Sequence, residues 1–461
     1  SIVVFLLASF GTQASHVMGG EITWSCSGGN AYEFQLVFYR NCNGAEVNVI
    51  SEDIRVWNHP TLNTIQLNFV SREDISPTCT VVPGSPPMLE CGSGSAAGNG
   101  VGAIERITYI SDPIIIDGSP PEAGWIFTYE NFSRSNAVSN LSNPSTFGIT
   151  LAAKIFENQN NIASSCTDSS PSFLQPPNFV TCAGSEYRYN MNAIDPDLDS
   201  LSFQFGVPYD YFPTGSYNPP SNPMPVPFEP GFTYETPTPS VDIDPNNIPA
   251  TIDPSTGELV FTSYTIGNFN IKVTVQSFRG GILIAEVERE IQVVVLPCSD
   301  INEAPVITPP FTGGNFETTV SAGDLVDFDL IANDLDLLQN GEVQNVIISA
   351  TGPMFGEDFT SPSGCNIEPC ATLNNAPPIQ APQNATASFS WQTTCDHLVN
   401  QFGENADIIP YDFVFKVQDD FCQVPKITYA TVRINVINPG VIQAPEISCI
   451  QTDVNLTLIH I

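Results

Sequence analysis

The feature that most constrains this chain is apolar residues at every second position. Phe34, Leu36 and Phe38 alternate with Glu33, Gln35 and Val37. Phe269, Ile271, Val273 and Val275 alternate with Asn270, Lys272, Thr274 and Gln276, and the pattern returns at Phe413, Phe415 and Val417 and at Val432, Ile434 and Val436. Successive side chains of an extended strand point to opposite faces, so each run reads as a strand with one buried face. Helical periodicity is nearly absent. With 40 Pro and 32 Gly punctuating short strands, the pattern predicts an all-β fold of tandem β-sandwich domains with long inserted loops.

A length of 461 residues suggests about three domains. Residues 16–170 form a first β-rich unit. The next two units repeat each other. Ala183-Gly184 recurs as Ala322-Gly323, and Ala193-Ile194-Asp195-Pro196-Asp197 recurs as Ala332-Asn333-Asp334-Leu335-Asp336. The strands Phe269–Gln276 and Ile291–Val295 recur as Tyr411–Gln418 and Val432–Val436. Four landmarks in order at nearly constant spacing indicate a tandem duplication, with repeat 1 at 178–298 and repeat 2 at 303–438. Residues 443–461 read as the start of a further, truncated β domain. Each repeat carries an insertion, at 206–231 and at about 352–390. The first holds eight prolines, which exclude a central strand, together with Tyr209, Tyr211, Phe212, Tyr217 and Phe228; these rings read either as a binding loop or as cover for the sandwich edge.

Residues 1–15, SIVVFLLASFGTQAS, read as a truncated signal peptide. No segment reaches the roughly 18 apolar residues of a spanning helix. In an exported chain, 12 Cys favour disulfides. The candidates are Cys26, Cys42, Cys79, Cys91, Cys166, Cys182, Cys365, Cys370, Cys395 and Cys422, and their pairing cannot be read from spacing. A rival is a zinc set of Cys365, Cys370, Cys395 and His397, although the spacing fits no standard zinc pattern.

Asp and Glu total 49 against 13 Lys and Arg, a net charge of −36. Such a chain repels phosphate backbones and anionic membranes, so nucleic acid is excluded as a partner. Excess carboxylates suit Ca²⁺, which takes oxygen ligands. Catalysis finds little support. Only four His are present, two of them near the ends, and no nucleophile elbow, P-loop or H-E-x-x-H motif occurs.

Calcium ligands are expected where the repeats meet. Asp300-Ile301-Asn302-Glu303-Ala304-Pro305 precedes repeat 2, which supplies Asp334-x-Asp336 and, after its penultimate strand, Asp419-Asp420. Alternate residues of D-x-D face the same way on an extended backbone. These residues resemble cadherin-like repeats, whose linker reads D-x-N-D-N-A-P. The resemblance covers 178–438 and implies structural Ca²⁺ held by Asp300, Asn302, Glu303, Asp334, Asp336, Asp419 and Asp420. A weaker set is Asp195, Asp197 and Asp199, because Gln276-Ser277-Phe278 stands where the family has an Asp.

His16-Val17-Met18-Gly19-Gly20-Glu21-Ile22-Thr23-Trp24, then Cys26 and Tyr39-Arg40-Asn41-Cys42-Asn43-Gly44, are similar to the front of large gliding-motility-associated surface proteins exported by the type IX route. That resemblance implies a bacterial outer-surface, adhesin-like protein whose glycan or protein ligand is unnamed. The alternative is a carbohydrate-binding accessory region of a secreted hydrolase.

Overall fold

The computed structural model describes residues 17–439 apart from 29–30, 45–46, 48, 93–97, 158–167, 198, 299–301, 357 and 400–404. The expected signal peptide, Asp300, Cys166 and the 443–461 segment lie outside the described residues. Those described fold as β-strands joined by turns, with two short 3₁₀ turns. No helix is long and apolar enough to cross a membrane.

The alternating runs are strands with one face in the core. In Leu325–Asn333, for example, Val326, Phe328, Leu330 and Ala332 are buried. Repeat 2 is a sandwich of a four-stranded and a five-stranded sheet. Phe328 stacks on Phe389 at 4.5 Å between centroids, and Trp391 and Phe413 close the core. The Asn384–Gln392 strand pairs with Leu325–Asn333 along its whole length. The expected insertion at 352–390 is therefore shorter, since its last residues are a central strand whose inward face begins with the small Ala385 and Ala387.

The duplication is visible in equivalent hydrogen bonds. In both repeats an early strand runs parallel to the last one, Val180–Cys182 beside Ile282–Leu296 and Glu317–Ser321 beside Ile427–Ile437. Ala183 N–H donates to Leu296 O at 2.8 Å, and Ala322 N–H donates to Ile437 O at 2.9 Å.

The sheet runs across the expected boundary between 16–170 and 178–298. The first unit contributes a run of seven strands in the order Val17–Gly28, Ala31–Asn41, Ile104–Ser111, Thr64–Asp74, Ser51–Trp57, Trp125–Asn131 and Ile149–Ile155, with Ile114–Ile115 paired to Ala31–Asn41 off the run. Both ends of that run land on one edge of the Ile282–Leu296 strand of repeat 1. Ile155–Ala153 pair with Ala285–Val287, and Gly19–Glu21 pair with Arg289–Ile291. A fifteen-residue strand has more edge than its own sandwich uses, and the first unit takes the surplus.

The two faces of this shared strand carry buried charge. Glu286 pairs with Lys154 at 2.6 Å and Glu288 with Lys272 at 2.7 Å, while Glu290 pairs with Arg134. On the other face Arg289 holds Glu21 at 2.7 Å. Alternation places the three acids together and Arg289 opposite. The Pro-rich insertion closes over this seam. Thr150 N–H donates to Tyr209 O, Phe212 is buried, and Arg55 lies 4.4 Å from the Phe212 ring centroid. These rings cover the sandwich edge.

Four disulfides have both partners among the described residues. They are Cys42–Cys91, Cys79–Cys422, Cys182–Cys298 and Cys365–Cys370, and Cys26 and Cys395 are also oxidised. The zinc alternative is overturned, because Cys365 and Cys370 bond to each other. Cys79–Cys422 spans 343 residues and ties the first unit to repeat 2.

Candidate functional site

Acidic residues gather at one end of each repeat. At the repeat 2 end, the linker backbone meets the D-x-D element. Glu303 N–H donates to Asp336 Oδ2 at 2.7 Å, and Asp336 N–H donates to Asp334 Oδ1 at 2.9 Å. This local turn is what a short acidic side chain favours at a strand end. Asp419 is buried beneath it. Its Oδ2 accepts from Asn302 Nδ2 at 2.7 Å and from Lys426 N–H at 3.1 Å, and its Oδ1 accepts from Phe421 N–H at 3.0 Å. Asn302 Oδ1 in turn accepts from Gln344 Nε2 at 2.6 Å.

Asp420 serves elsewhere. It accepts from Asn345 N–H at 2.8 Å, from Asn345 Nδ2 at 2.7 Å and from the Thr80 hydroxyl at 2.6 Å. Thr80 N–H also donates to Asp420 O at 2.8 Å, so the first unit is seated on this loop beside the Cys79–Cys422 bond.

Asn302, Glu303, Asp334, Asp336 and Asp419 thus share one end of the sandwich. Burial pushes the Asp419 carboxyl up to about 7. Burial also raises Asp334, helped by the charges of Asp336, Asp420 and Glu303. Asp334 is 7% exposed, and its Oδ2 is buried without a hydrogen-bond partner. An orphaned carboxylate oxygen among oxygen donors fits a hard cation such as Ca²⁺. Among the described residues, however, no three acidic side chains of this end lie within 4.8 Å of one another through one ligand atom each.

Among the described residues that spacing is met by Asp168, Asp197 and Asp199, at the repeat 1 end. Asp195 stands beside them, its Oδ1 accepting from Asp197 N–H at 2.9 Å and its Oδ2 from the Ser277 hydroxyl at 2.7 Å. The structure therefore brings the weaker predicted set together and adds two residues that sequence reasoning missed, Asp168 and Arg279. Asp168 lies in an irregular Thr-Asp-Ser-Ser stretch with no periodic signal. Arg279 sits at a hairpin end before Gly280-Gly281, where the sequence shows only a turn.

The two described histidines meet backbone groups near and far in sequence, His59 Nε2 donating to Asp117 O at 3.1 Å and His397 Nε2 to Ile367 O at 3.2 Å. His59 Nδ1 accepts from Leu62 N–H at 2.9 Å, and the buried His397 Nδ1 accepts from Thr394 N–H at 2.9 Å.

The fold and its oxidised cysteines define an all-β chain of disulfide-pinned sandwiches, the chemistry of an oxidising compartment. No family model matches the chain, and no curated protein matches it. Among solved structures it is similar to the Dpr2 Ig1-Ig2 pair in complex with DIP-Theta Ig1-Ig3. That match has 12% identity, covers 58% of this chain and 99% of that one, and has a TM-score of 0.20. Domains 1–6 of the surface layer protein SbsC match with 10% identity, 90% coverage of this chain, 53% of that one and a TM-score of 0.16. Similarity at these TM-scores says nothing of ligand or partner.

Proposed function

We propose that the chain is a non-catalytic structural or adhesive segment of an extracellular surface protein, of the gliding-motility-associated type that its N-terminal motif resembles, and that Ca²⁺ stiffens the end of repeat 2. The observation that carries this reading is the joining of the units. One strand serves both the first unit and repeat 1, and one disulfide clasps the first unit to repeat 2. Such joints resist the relative motion that flexible linkers permit. Charge supports the same reading. Among the described residues, every Lys and Arg except Lys416 and Lys426 stands in an ion pair, so the bulk of the exposed charge is acidic. An acidic exterior favours solubility and divalent cations over anionic partners.

Asn302, Glu303, Asp334, Asp336 and Asp419 would hold the ion, which would neutralise acids that burial otherwise leaves uncompensated. Melting in millimolar Ca²⁺ and in chelator tests this. At about 100 times its dissociation constant the ion adds about 2.7 kcal/mol. The wild-type protein should melt higher with Ca²⁺, and Asp334→Asn should lose most of that gain. Identical wild-type curves would remove calcium from the reading.

A further inference from the structure

The acidic ends of the two repeats are built on the same turn but differ in where positive charge comes from. Asp197 N–H donates to Asp195 Oδ1, and Asp336 N–H donates to Asp334 Oδ1, both at 2.9 Å. Among the described residues, no Lys or Arg forms an ion pair with Asp334, Asp336, Asp419 or Asp420.

In repeat 1 a guanidinium fills the corresponding place. Arg279 Nε donates to Asp199 Oδ1 at 2.8 Å. Its Nη2 donates to Asp168 Oδ1 and to Asp197 Oδ2, each at 3.1 Å, and also meets Asp199 Oδ2. The three carboxylates that are close enough to share an ion are the three that this side chain touches. Arg279 does not satisfy them fully. Asp168 is 2% exposed and Asp197 0%, and Asp168 Oδ2 and Asp197 Oδ1 are both buried without a hydrogen-bond partner. Three acids meet one guanidinium, and Asp195 stands beside them, bonded to Asp197 N–H and the Ser277 hydroxyl. Burial, with the charges of Asp195 and Asp197, pushes the Asp168 carboxyl well above its usual range.

The cage also has a mechanical place. Trp24 Nε1 donates to Asp168 O at 3.0 Å, and Ser169 N–H donates to Asp197 Oδ2 at 3.0 Å. Asp168 and Ser169 belong to the first unit and Asp197 and Arg279 to repeat 1, so the Ser169–Asp197 and Arg279–Asp168 bonds cross from one to the other.

We infer that Arg279 is the resident cation of an all-oxygen cage where the first unit meets repeat 1, that its guanidinium keeps divalent ions out of Asp168, Asp197 and Asp199, and that removing it converts the cage into a calcium site. Ca²⁺ needs these same oxygens at about 2.3–2.6 Å, a space that Arg279 occupies. The inference bears on which end of which repeat takes the ion, and so deepens the calcium reading above. Its test works in a background where repeat 2 has been silenced, so the two can fail separately.

Ca²⁺ binding is measured by calorimetry, and folding by melting with and without millimolar Ca²⁺, on full-length chains carrying Asp334→Asn. With Arg279 intact, this chain should show no Ca²⁺ response that depends on Asp197. Adding Arg279→Ala should create one Ca²⁺ site, which a further Asp197→Asn removes, while Arg279→Lys should create none. An Arg279→Ala chain that folds only with Ca²⁺ also supports the inference. A chain that folds in neither condition contradicts it, because Ca²⁺ then fails to replace the guanidinium. Asp197-dependent Ca²⁺ binding with Arg279 present, or a folded Arg279→Ala chain that gains no site, would overturn it.

Discussion

Gly19 lies so close to Glu290 across the seam between the first unit and repeat 1 that a Cβ on Gly19 would meet the Glu290 carbonyl oxygen at 1.8 Å. Its φ of 136° is also one that side chains rarely adopt. Gly19→Ala must push the Val17–Gly28 strand off the shared strand, which should cost about 3 kcal/mol or more. Urea unfolding reads this directly, and an unchanged midpoint would mean that the two strands do not meet there in solution.

Glu21 is the counter-charge of a guanidinium that has almost no solvent. Arg289 is 1% exposed and also donates to Tyr189 Oη at 2.7 Å and Gln175 O at 3.1 Å. Removing one partner of a buried pair costs about 3–5 kcal/mol, because the other charge is left uncompensated. Glu21→Gln should lose that amount. Glu21→Gln with Arg289→Met should lose distinctly less than the two single changes summed. Additive losses in the double-mutant cycle would show that the pair is not coupled.

Lys416 has no ion-pair partner among the described residues and lines a cavity of about 100 Å³ where the first unit, the start of repeat 1 at Asn178–Val180 and repeat 2 meet. Burial pushes its ammonium down to about 8, whereas an unfolded lysine keeps its proton to about 10.4. The folded chain thus gives up this proton first. The contribution of Lys416 to stability is full above about 10.4 and is lost as pH falls through about 8. Lys416→Met should raise stability at pH 7 by about 1–2 kcal/mol and flatten the rise in stability between pH 8 and 10. Parallel pH profiles for the two chains would refute the burial of a charge at this joint.

The strands were legible because one-sided burial writes a period of two into the sequence, as Phe413, Phe415 and Val417 show. Asn384–Gln392 escaped notice because Ala385 and Ala387 hold the first half of its inward face, and small side chains give a weak alternation. At repeat 2's acidic end the Asp334–Asp336 turn could be read from the D-x-D pair, because it is local, whereas the bond of Asp419 to Asn302 and the turning of Asp420 toward Thr80 and Asn345 could not. Asp168 with Arg279, Glu21 with Arg289, and Cys79 with Cys422 could not, since each pair forms only when distant segments pack. Most of the shared strand was hidden for a related reason. The sequence pattern placed this strand only at Ile291–Val295; before it, Glu286, Glu288 and Glu290 break the apolar alternation, yet Lys154, Lys272 and Arg134 pair with them, and Glu288 and Glu290 are buried.

The most direct test of the joined-unit account is calorimetric unfolding of the intact oxidised protein beside a Cys79→Ser/Cys422→Ser variant. The account predicts that the wild-type protein unfolds in one cooperative transition. In the variant, repeat 2 should melt separately and earlier, with a loss of about 2–5 kcal/mol, while the first unit and repeat 1 still melt together. Separate transitions for the first unit and repeat 1 in the wild-type protein would contradict it.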